Sequence, residues 1–239
     1  IAGPCSVESY DQVNRVADAV AESGATHFRG GVFRAGTYPG QNFGLIDDKL
    51  IEAFSAAGRS RGLKTIIECL DYSLASFARI GPHADCFQVG ARQMQNYTLL
   101  RRLGRTDRPV FLKRNPGATL DEWLGAAEHL LVEGNCSPVL IERGGATNSP
   151  HVRWDLSISM IPAIAQISKI PVVVDASHGT GRRDLVRAMT LAGVAAGAAG
   201  VLVEVHPTPS QSLSDADQAI APDEFDFLMK QVRDIRKIL

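Results

Sequence analysis

The stretch Val172-Val173-Val174-Asp175-Ala176-Ser177-His178-Gly179-Thr180-Gly181-Arg182-Arg183-Asp184-Leu185, followed at a distance by Val201-Leu202-Val203-Glu204, decides the fold. Three valines ending in an acid read as a short strand buried on both faces, because the run lacks the alternation of a half-solvated strand. Residues 183–196 read as a helix and residues 201–204 as a second apolar strand. A strand, a long helix and another strand form a crossover unit with parallel strands.

The same rhythm continues toward the start of the chain. Short apolar runs fall at residues 1–5, 27–29, 64–68, 86–89, 110–113, 139–142, 172–175 and 201–204, which makes eight. Helix-like segments separate them, among them residues 10–23, 50–61, 120–133 and 183–196. Val13, Val16 and Val20 recur at helical spacing, and Asn96 and Thr119 are placed as N-caps of two further helices. Eight β-then-α units predict a closed (β/α)8 TIM barrel, with residues 1–239 as one domain. An open doubly wound sheet is the alternative, but it usually has fewer strands. No low-complexity segment or linker interrupts the pattern. The longest irregular stretches, residues 31–45 and 205–223, are expected to be functional loops.

Composition narrows the function classes. The formal net charge is −1, which argues against a nucleic-acid binder or a polybasic membrane surface. No apolar run reaches membrane-spanning length, and no signal peptide is visible. Of the four cysteines, Cys5, Cys69, Cys86 and Cys136, none forms a CxxC pair, so a reducing cytoplasm is expected. Cys69 and Cys86 sit in or beside strand-like runs and read as buried thiols. The chain opens at Ile1-Ala2-Gly3 without an initiator Met, which leaves room for a natural N-terminal extension.

The residues capable of chemistry gather where the strands end. Cys5 closes the first run, Arg29 the second and Glu68 the third. Gln88 and Arg92 follow the fourth, Lys113 and Arg114 the fifth, Glu142 and Arg143 the sixth. Asp175 and His178 follow the seventh, Glu204 and His206 the eighth. In a barrel this rim holds the active site. One arginine after a strand is ordinarily a surface charge; eight such ends together point to a site.

Two sets separate by chemistry. Arg29, Arg92, Lys113 and Arg143 would converge from four strands, which is costly unless an anion compensates them. Arginine matches carboxylate and phosphate oxygens with a planar fork, and lysine adds a point charge. A small substrate carrying both groups is indicated. Cys5, His178, Glu204 and Asp215 offer thiolate, imidazole and two carboxylates, a set suited to a divalent Mn, Fe, Co or Zn ion. Their spacing alone does not assign them, and a structural thiol and a loop histidine remain the plain alternative.

Several strings resemble those of DAHP synthases of the type I-beta group. They are Ile1-Ala-Gly-Pro-Cys-Ser-Val-Glu-Ser9, Arg29-Gly-Gly31, Gln88-Val-Gly-Ala-Arg92 with Met94-Gln-Asn96, and Leu112-Lys-Arg114. Glu142-Arg-Gly144, Asp175-Ala-Ser-His-Gly-Thr-Gly-Arg-Arg-Asp-Leu185, Val203-Glu-Val-His-Pro207 and Leu213-Ser-Asp215 complete the series in the family's order. The resemblance implies a PEP-dependent aldol-type barrel, often a homo-oligomer, that condenses phosphoenolpyruvate with erythrose 4-phosphate. It implies Cys5, His178, Glu204 and Asp215 as metal ligands, and Arg29, Arg92, Lys113 and Arg143 as the phosphoenolpyruvate clamp. Glu68 is then expected to handle the attacking water, and His206 to face a metal-bound oxygen. Asp175 is expected to orient His178 or the aldehyde hydroxyls.

The departures fall on the aldehyde half. The family's Lys-Pro-Arg-Thr string is here Arg34-Ala35-Gly36-Thr37, with Arg34 and Thr37 left to serve catalysis and aldehyde binding. Arginine keeps the lysine's charge but not its ability to exchange a proton near neutral pH. Gly36 replaces the arginine expected on the aldehyde's phosphate, and Ala146 stands about where a further arginine is common. The readings left open are DAHP synthesis, the same chemistry on another aldehyde, and a non-catalytic barrel that binds phosphoenolpyruvate or a sugar phosphate.

Overall fold

In the computed structural model, residues 1–34, 44–70, 73–134 and 137–239 are described. Eight parallel strands close into a ring: β1 (Ala2–Gly3), β2 (His27–Gly30), β3 (Lys64–Glu68), β4 (Cys86–Val89), β5 (Val110–Lys113), β6 (Pro138–Glu142), β7 (Val172–Asp175) and β8 (Gly200–Glu204). Neighbours in the chain are neighbours in the ring, and β8 closes on β1 through Ala2 opposite Val203 and Gly3 opposite Glu204. This is the (β/α)8 barrel that the sequence predicts. β1 is shorter than the apolar run 1–5, because Pro4 has no N–H to give to a ladder. A short antiparallel pair, Phe33–Arg34 with Gly44–Leu45, follows β2.

The expected caps are present. The Asn96 side chain accepts from Leu99 N, and Thr119 and Glu122 form a capping box on helix Leu120–Leu131. Helix Asp48–Ser60 begins two residues earlier than periodicity suggests, because the Asp47 carboxylate caps it at Lys49 N. Among the described residues no helix is long and apolar enough to cross a membrane.

Strand alternation sorts the side chains into two cores. Outward residues such as Phe28, Ile67, Phe87, Leu112, Leu140, Val174 and Val203 pack against the helices. Inward residues Ile66, Cys86, Phe111, Ile141, Val173 and Leu202 form a second cluster that plugs the ring. Cys69 and Cys86 are buried, as expected, and neither is in a disulfide; Cys136 lies outside the described residues.

Two residues further along each strand, the same inward row turns polar. Arg29, Glu68, Gln88, Lys113, Arg143, Asp175 and Glu204 each stand two positions beyond an inward residue of the plug or its rim. The period of two and the common strand direction therefore bring all of them to one mouth.

At the opposite end, Asp85 ties β3 to β4. Its carboxylate accepts from Thr65 N at 2.8 Å, Thr65 Oγ1 at 2.9 Å and Arg59 Nη2 at 3.0 Å. Burial pushes this carboxyl up, but the Thr65 amide and Arg59 outweigh it and hold it below the usual range. Its contribution is therefore complete above the ordinary carboxylate pKa of about 4 and is lost as pH falls through the lower folded value. Asp85→Ala strands the buried Thr65 N–H, and we expect a loss of about 1–3 kcal/mol in urea unfolding at neutral pH. The difference from wild type should shrink in acid; an unchanged midpoint at neutral pH would remove Asp85 from the account.

Candidate metal and anion site at the barrel mouth

After β1 the chain crosses the mouth and carries Cys5 against β2. Glycine is required for that approach: a Cβ on Gly31 would lie 2.5 Å from Cys5 O. Gly3, at φ +149°, would place a Cβ 2.0 Å from Arg29 O. The backbone bond from Gly31 N to Cys5 O, 3.0 Å, fixes the crossing.

His178 is presented by the one-turn helix Ala176–Thr180, which starts where β7 ends. Asp175 caps it, accepting from His178 N at 3.0 Å through Oδ1. Its Oδ2 lies 2.8 Å from His178 Nδ1 and 3.0 Å from Lys113 Nζ, ion-pair contacts without hydrogen-bond alignment. Burial raises the Asp175 carboxyl, yet His178 and Lys113 outweigh it and hold it well below its ordinary value. His178 Nδ1 also lies 3.3 Å from Lys113 Nζ, a contact in which the lysine donates. Nε2 lies 3.1 Å from Glu204 Oε1 and 3.9 Å from Asp215 Oδ2.

Glu204 ends β8 with no exposed surface, accepting from Arg29 Nη1 at 3.0 Å and Gln218 Nε2 at 2.7 Å. Asp215 belongs to the following loop and is the one described non-glycine residue with positive φ, +52°. Aspartate tolerates that left-handed conformation, which turns its carboxylate back to Cys5 Sγ at 3.1 Å.

Cys5, His178, Glu204 and Asp215 thus offer one sulfur, one nitrogen and two oxygens within 4.8 Å of one another. Donors bound to one transition-metal ion at roughly 2.0–2.3 Å stand at most about 4.5 Å apart, so the set fits an ion after closing by a few tenths of an ångström. Burial pushes the Cys5 thiol up, Glu204 and Asp215 add to this, and Arg29 opposes it. The thiol is therefore protonated on its own, and a cation here would displace its proton.

Three of the four expected clamp residues, Arg29, Lys113 and Arg143, are buried at the same mouth. Arg92 is exposed, on the turn Ala91–Gln93 after β4. Arg143 has Nε and Nη1 buried without an acceptor, and its guanidinium lies 5.5 Å from the centroid of the Trp154 ring. Burial lowers its pKa, although Asp175 nearby opposes that. Arg29 Nε also lacks an acceptor. Arg114, next to Lys113, is the contrast. It is matched twice by Glu142, Nε to Oε2 at 2.5 Å and Nη2 to Oε1 at 2.9 Å, and donates further to Ala118 O and Ser157 Oγ. That pair is complete and ties β5, β6 and the loop after β6 together.

Glu68 accepts from Gln88 Nε2 at 3.0 Å, and a Cβ at Gly90 would meet its Oε1 at 2.3 Å, so glycine leaves room for the carboxylate. His206 is held at both ring nitrogens: Thr208 N donates to Nδ1 at 3.1 Å, and Nε2 lies 3.3 Å from Glu8 Oε2. These contacts fix the position of the His206 ring. Glu8 also accepts from Leu213 N at 2.8 Å and Ser212 Oγ at 3.4 Å, which anchors the loop bearing Asp215. Sequence reasoning quoted Glu8 within its string and gave it no role. Arg34 lies in the strand Phe33–Arg34; its side chain, Ala35, Gly36 and Thr37 lie outside what is described.

The family model described as DAHP synthetase I matches residues 1–239. The chain belongs to the DAHP synthetase I family. A phospho-2-dehydro-3-deoxyheptonate aldolase of Thermotoga maritima is 37% identical over 238 residues, covering all of this chain and 69% of its own. Its crystal structure superposes with a TM-score of 0.94 at 36% identity, with the same coverage of 100% and 69%. A truncated 3-deoxy-D-arabino-heptulosonate 7-phosphate synthase of the same organism gives 0.90 at 35% identity, covering 99% of this chain and 86% of that one. More distantly, a 2-dehydro-3-deoxyphosphooctonate aldolase of Nitrobacter hamburgensis is 28% identical over 97% of this chain and 85% of its own.

In this DAHP synthetase I family member, Cys5→Ala should weaken manganese binding by at least tenfold in calorimetric titration and leave the metal-free unfolding midpoint in place. Equal affinity in the variant would exclude Cys5 from the metal set.

Proposed function

We propose that this chain joins phosphoenolpyruvate to erythrose 4-phosphate, forming DAHP and releasing phosphate, the entry step of aromatic amino acid biosynthesis by the shikimate route. The observation that carries the reading is Arg143, a buried guanidinium with two unsatisfied N–H groups beside a four-donor cation cluster. A buried, unpaired cation is strongly unfavourable, and a phosphate or carboxylate relieves it.

Arg29, Arg92, Lys113 and Arg143 bind the phosphate and carboxylate of phosphoenolpyruvate and hold its C3 toward the aldehyde. Cys5, His178, Glu204 and Asp215 would hold a divalent Mn, Fe, Co or Zn ion, which when bound polarises the aldehyde oxygen as a Lewis acid. The C2=C3 electron pair attacks the carbonyl carbon, so the new bond forms at C3 and electron deficiency passes to C2. As the aldehyde C=O π bond breaks, its oxygen takes up a proton and becomes the product hydroxyl; water adds at C2 and gives a proton to Glu68. The resulting phosphohemiketal breaks its C2–O bond, phosphate leaves, and C2 becomes the ketone. Much of the rate comes from positioning two small molecules face to face. Asp175 keeps Lys113 and His178 in place, and we assign His206 to holding the loop through Glu8 and Thr208. Arg34 and Thr37 are the residues this reading assigns to the aldehyde. The free thiols suit a reducing cytoplasm, and the family resemblance suits a homo-oligomer.

Arg34-Ala35-Gly36-Thr37 favours one further reading, the same chemistry on another aldehyde, because Gly36 supplies no cation for an acceptor phosphate. Phosphate release from phosphoenolpyruvate with manganese, against a panel of aldehydes, decides between them. Release with erythrose 4-phosphate supports DAHP synthesis, and release only with another aldehyde supports a changed acceptor. No release with any aldehyde would leave a binding barrel. Arg143→Ala should weaken phosphoenolpyruvate binding by about 2–3 kcal/mol, and an unchanged Kd would take Arg143 out of the clamp.

A further inference from the structure

Trp154 lies on the loop between β6 and helix Met160–Ile167, with its ring against the Arg143 guanidinium. Its indole N–H is buried and has no acceptor among the described residues. An indole nitrogen only donates, so what this group lacks is an acceptor oxygen, and no described residue supplies one. The chain's other tryptophan behaves differently: Trp123, fully buried, gives its N–H to Leu112 O at 3.3 Å.

The loop is shaped to keep the Trp154 ring where it is. Gly144 has φ +95°, and a Cβ there would lie 2.7 Å from Trp154 Cβ and 3.0 Å from Gly179 O. The neighbouring Asp155 is pinned to Gly145 by reciprocal backbone bonds of 2.8 and 3.0 Å. Arg143 and Trp154 are thus fixed against each other, and between them Arg143 Nε, Arg143 Nη1 and Trp154 Nε1 are three buried donors without acceptors. Such donors call for the oxygens of an anion.

We propose that Trp154 is a further substrate-binding residue, whose indole N–H donates to an oxygen of the anion that Arg143 holds while its ring fixes the plane of the guanidinium. The inference rests on the reading of Arg143 as part of the phosphoenolpyruvate clamp. A neutral donor adds an oxygen contact without adding charge, and it recognises the chemistry shared by phosphate and carboxylate.

Trp154→Phe keeps the ring and its stacking but removes the N–H. Calorimetric titration of the full chain with phosphoenolpyruvate should show a Kd about five- to tenfold weaker than wild type. The ligand-free unfolding midpoint should not fall, since a buried unpaired donor has been removed. The emission of wild type minus that of Trp154→Phe isolates Trp154 and should shift when phosphoenolpyruvate is added. An equal Kd in the variant, or a difference spectrum that phosphoenolpyruvate does not move, overturns the proposal and leaves the clamp standing. Absence of phosphoenolpyruvate binding by wild type overturns the clamp reading and the proposal together.

Discussion

The Asp175 carboxylate is the contact on which the mouth of the barrel depends. It is fully buried, and one of its oxygens faces Lys113 Nζ and His178 Nδ1 together. Through Lys113 it reaches the anion half of the site, and through His178 the cation half. From His178 the contacts continue to Glu204 and then to Arg29, so basic and acidic side chains alternate around the mouth. Isolated charges at such depth would neutralise themselves by shifting pKa. Alternation offsets the cost of burying them and joins the two halves of the mouth in one chain of contacts. Arg29 touches the cation set through Glu204 Oε1, and Lys113 touches it through Asp175 and His178.

Arginines at the same mouth serve different ends, and their partners tell them apart. Arg114 is saturated by Glu142, Ala118 and Ser157, so nothing remains for a ligand. Arg143, one residue beyond Glu142, keeps two donors without acceptors. The first acts as a strut that fixes the loop around the second. The loop after β8 follows the same division: Glu8 grips His206, Ser212 and Leu213 so that Asp215 can hold a left-handed backbone conformation near Cys5. Strain of that kind persists where the surroundings over-determine it, and it gathers at functional sites.

Much of this was legible from sequence because parallel strands write their burial plainly. Runs such as Val172–Asp175 end in the residue that reaches the mouth, and one shared strand direction gathers those ends. What the sequence hid was facing and distance. Glu142 and Arg143 are adjacent, yet the strand's period of two sends one to a structural pair and the other to the open site. The partners of Glu8 lie about 200 residues away, beyond any local pattern. Trp154 reads as an ordinary apolar loop residue until its N–H is seen to have no acceptor. The contacts that fix His206 come from Thr208, two residues on, and from Glu8, 198 residues away.

The most direct test of a joined cation and anion site is a crystal structure with manganese and phosphoenolpyruvate, with anomalous scattering used to locate the metal. The account predicts one manganese peak among Cys5, His178, Glu204 and Asp215, with phosphoenolpyruvate oxygens on Arg143 Nε and Nη1. Manganese bound elsewhere, or phosphoenolpyruvate seated away from Arg143, would contradict it.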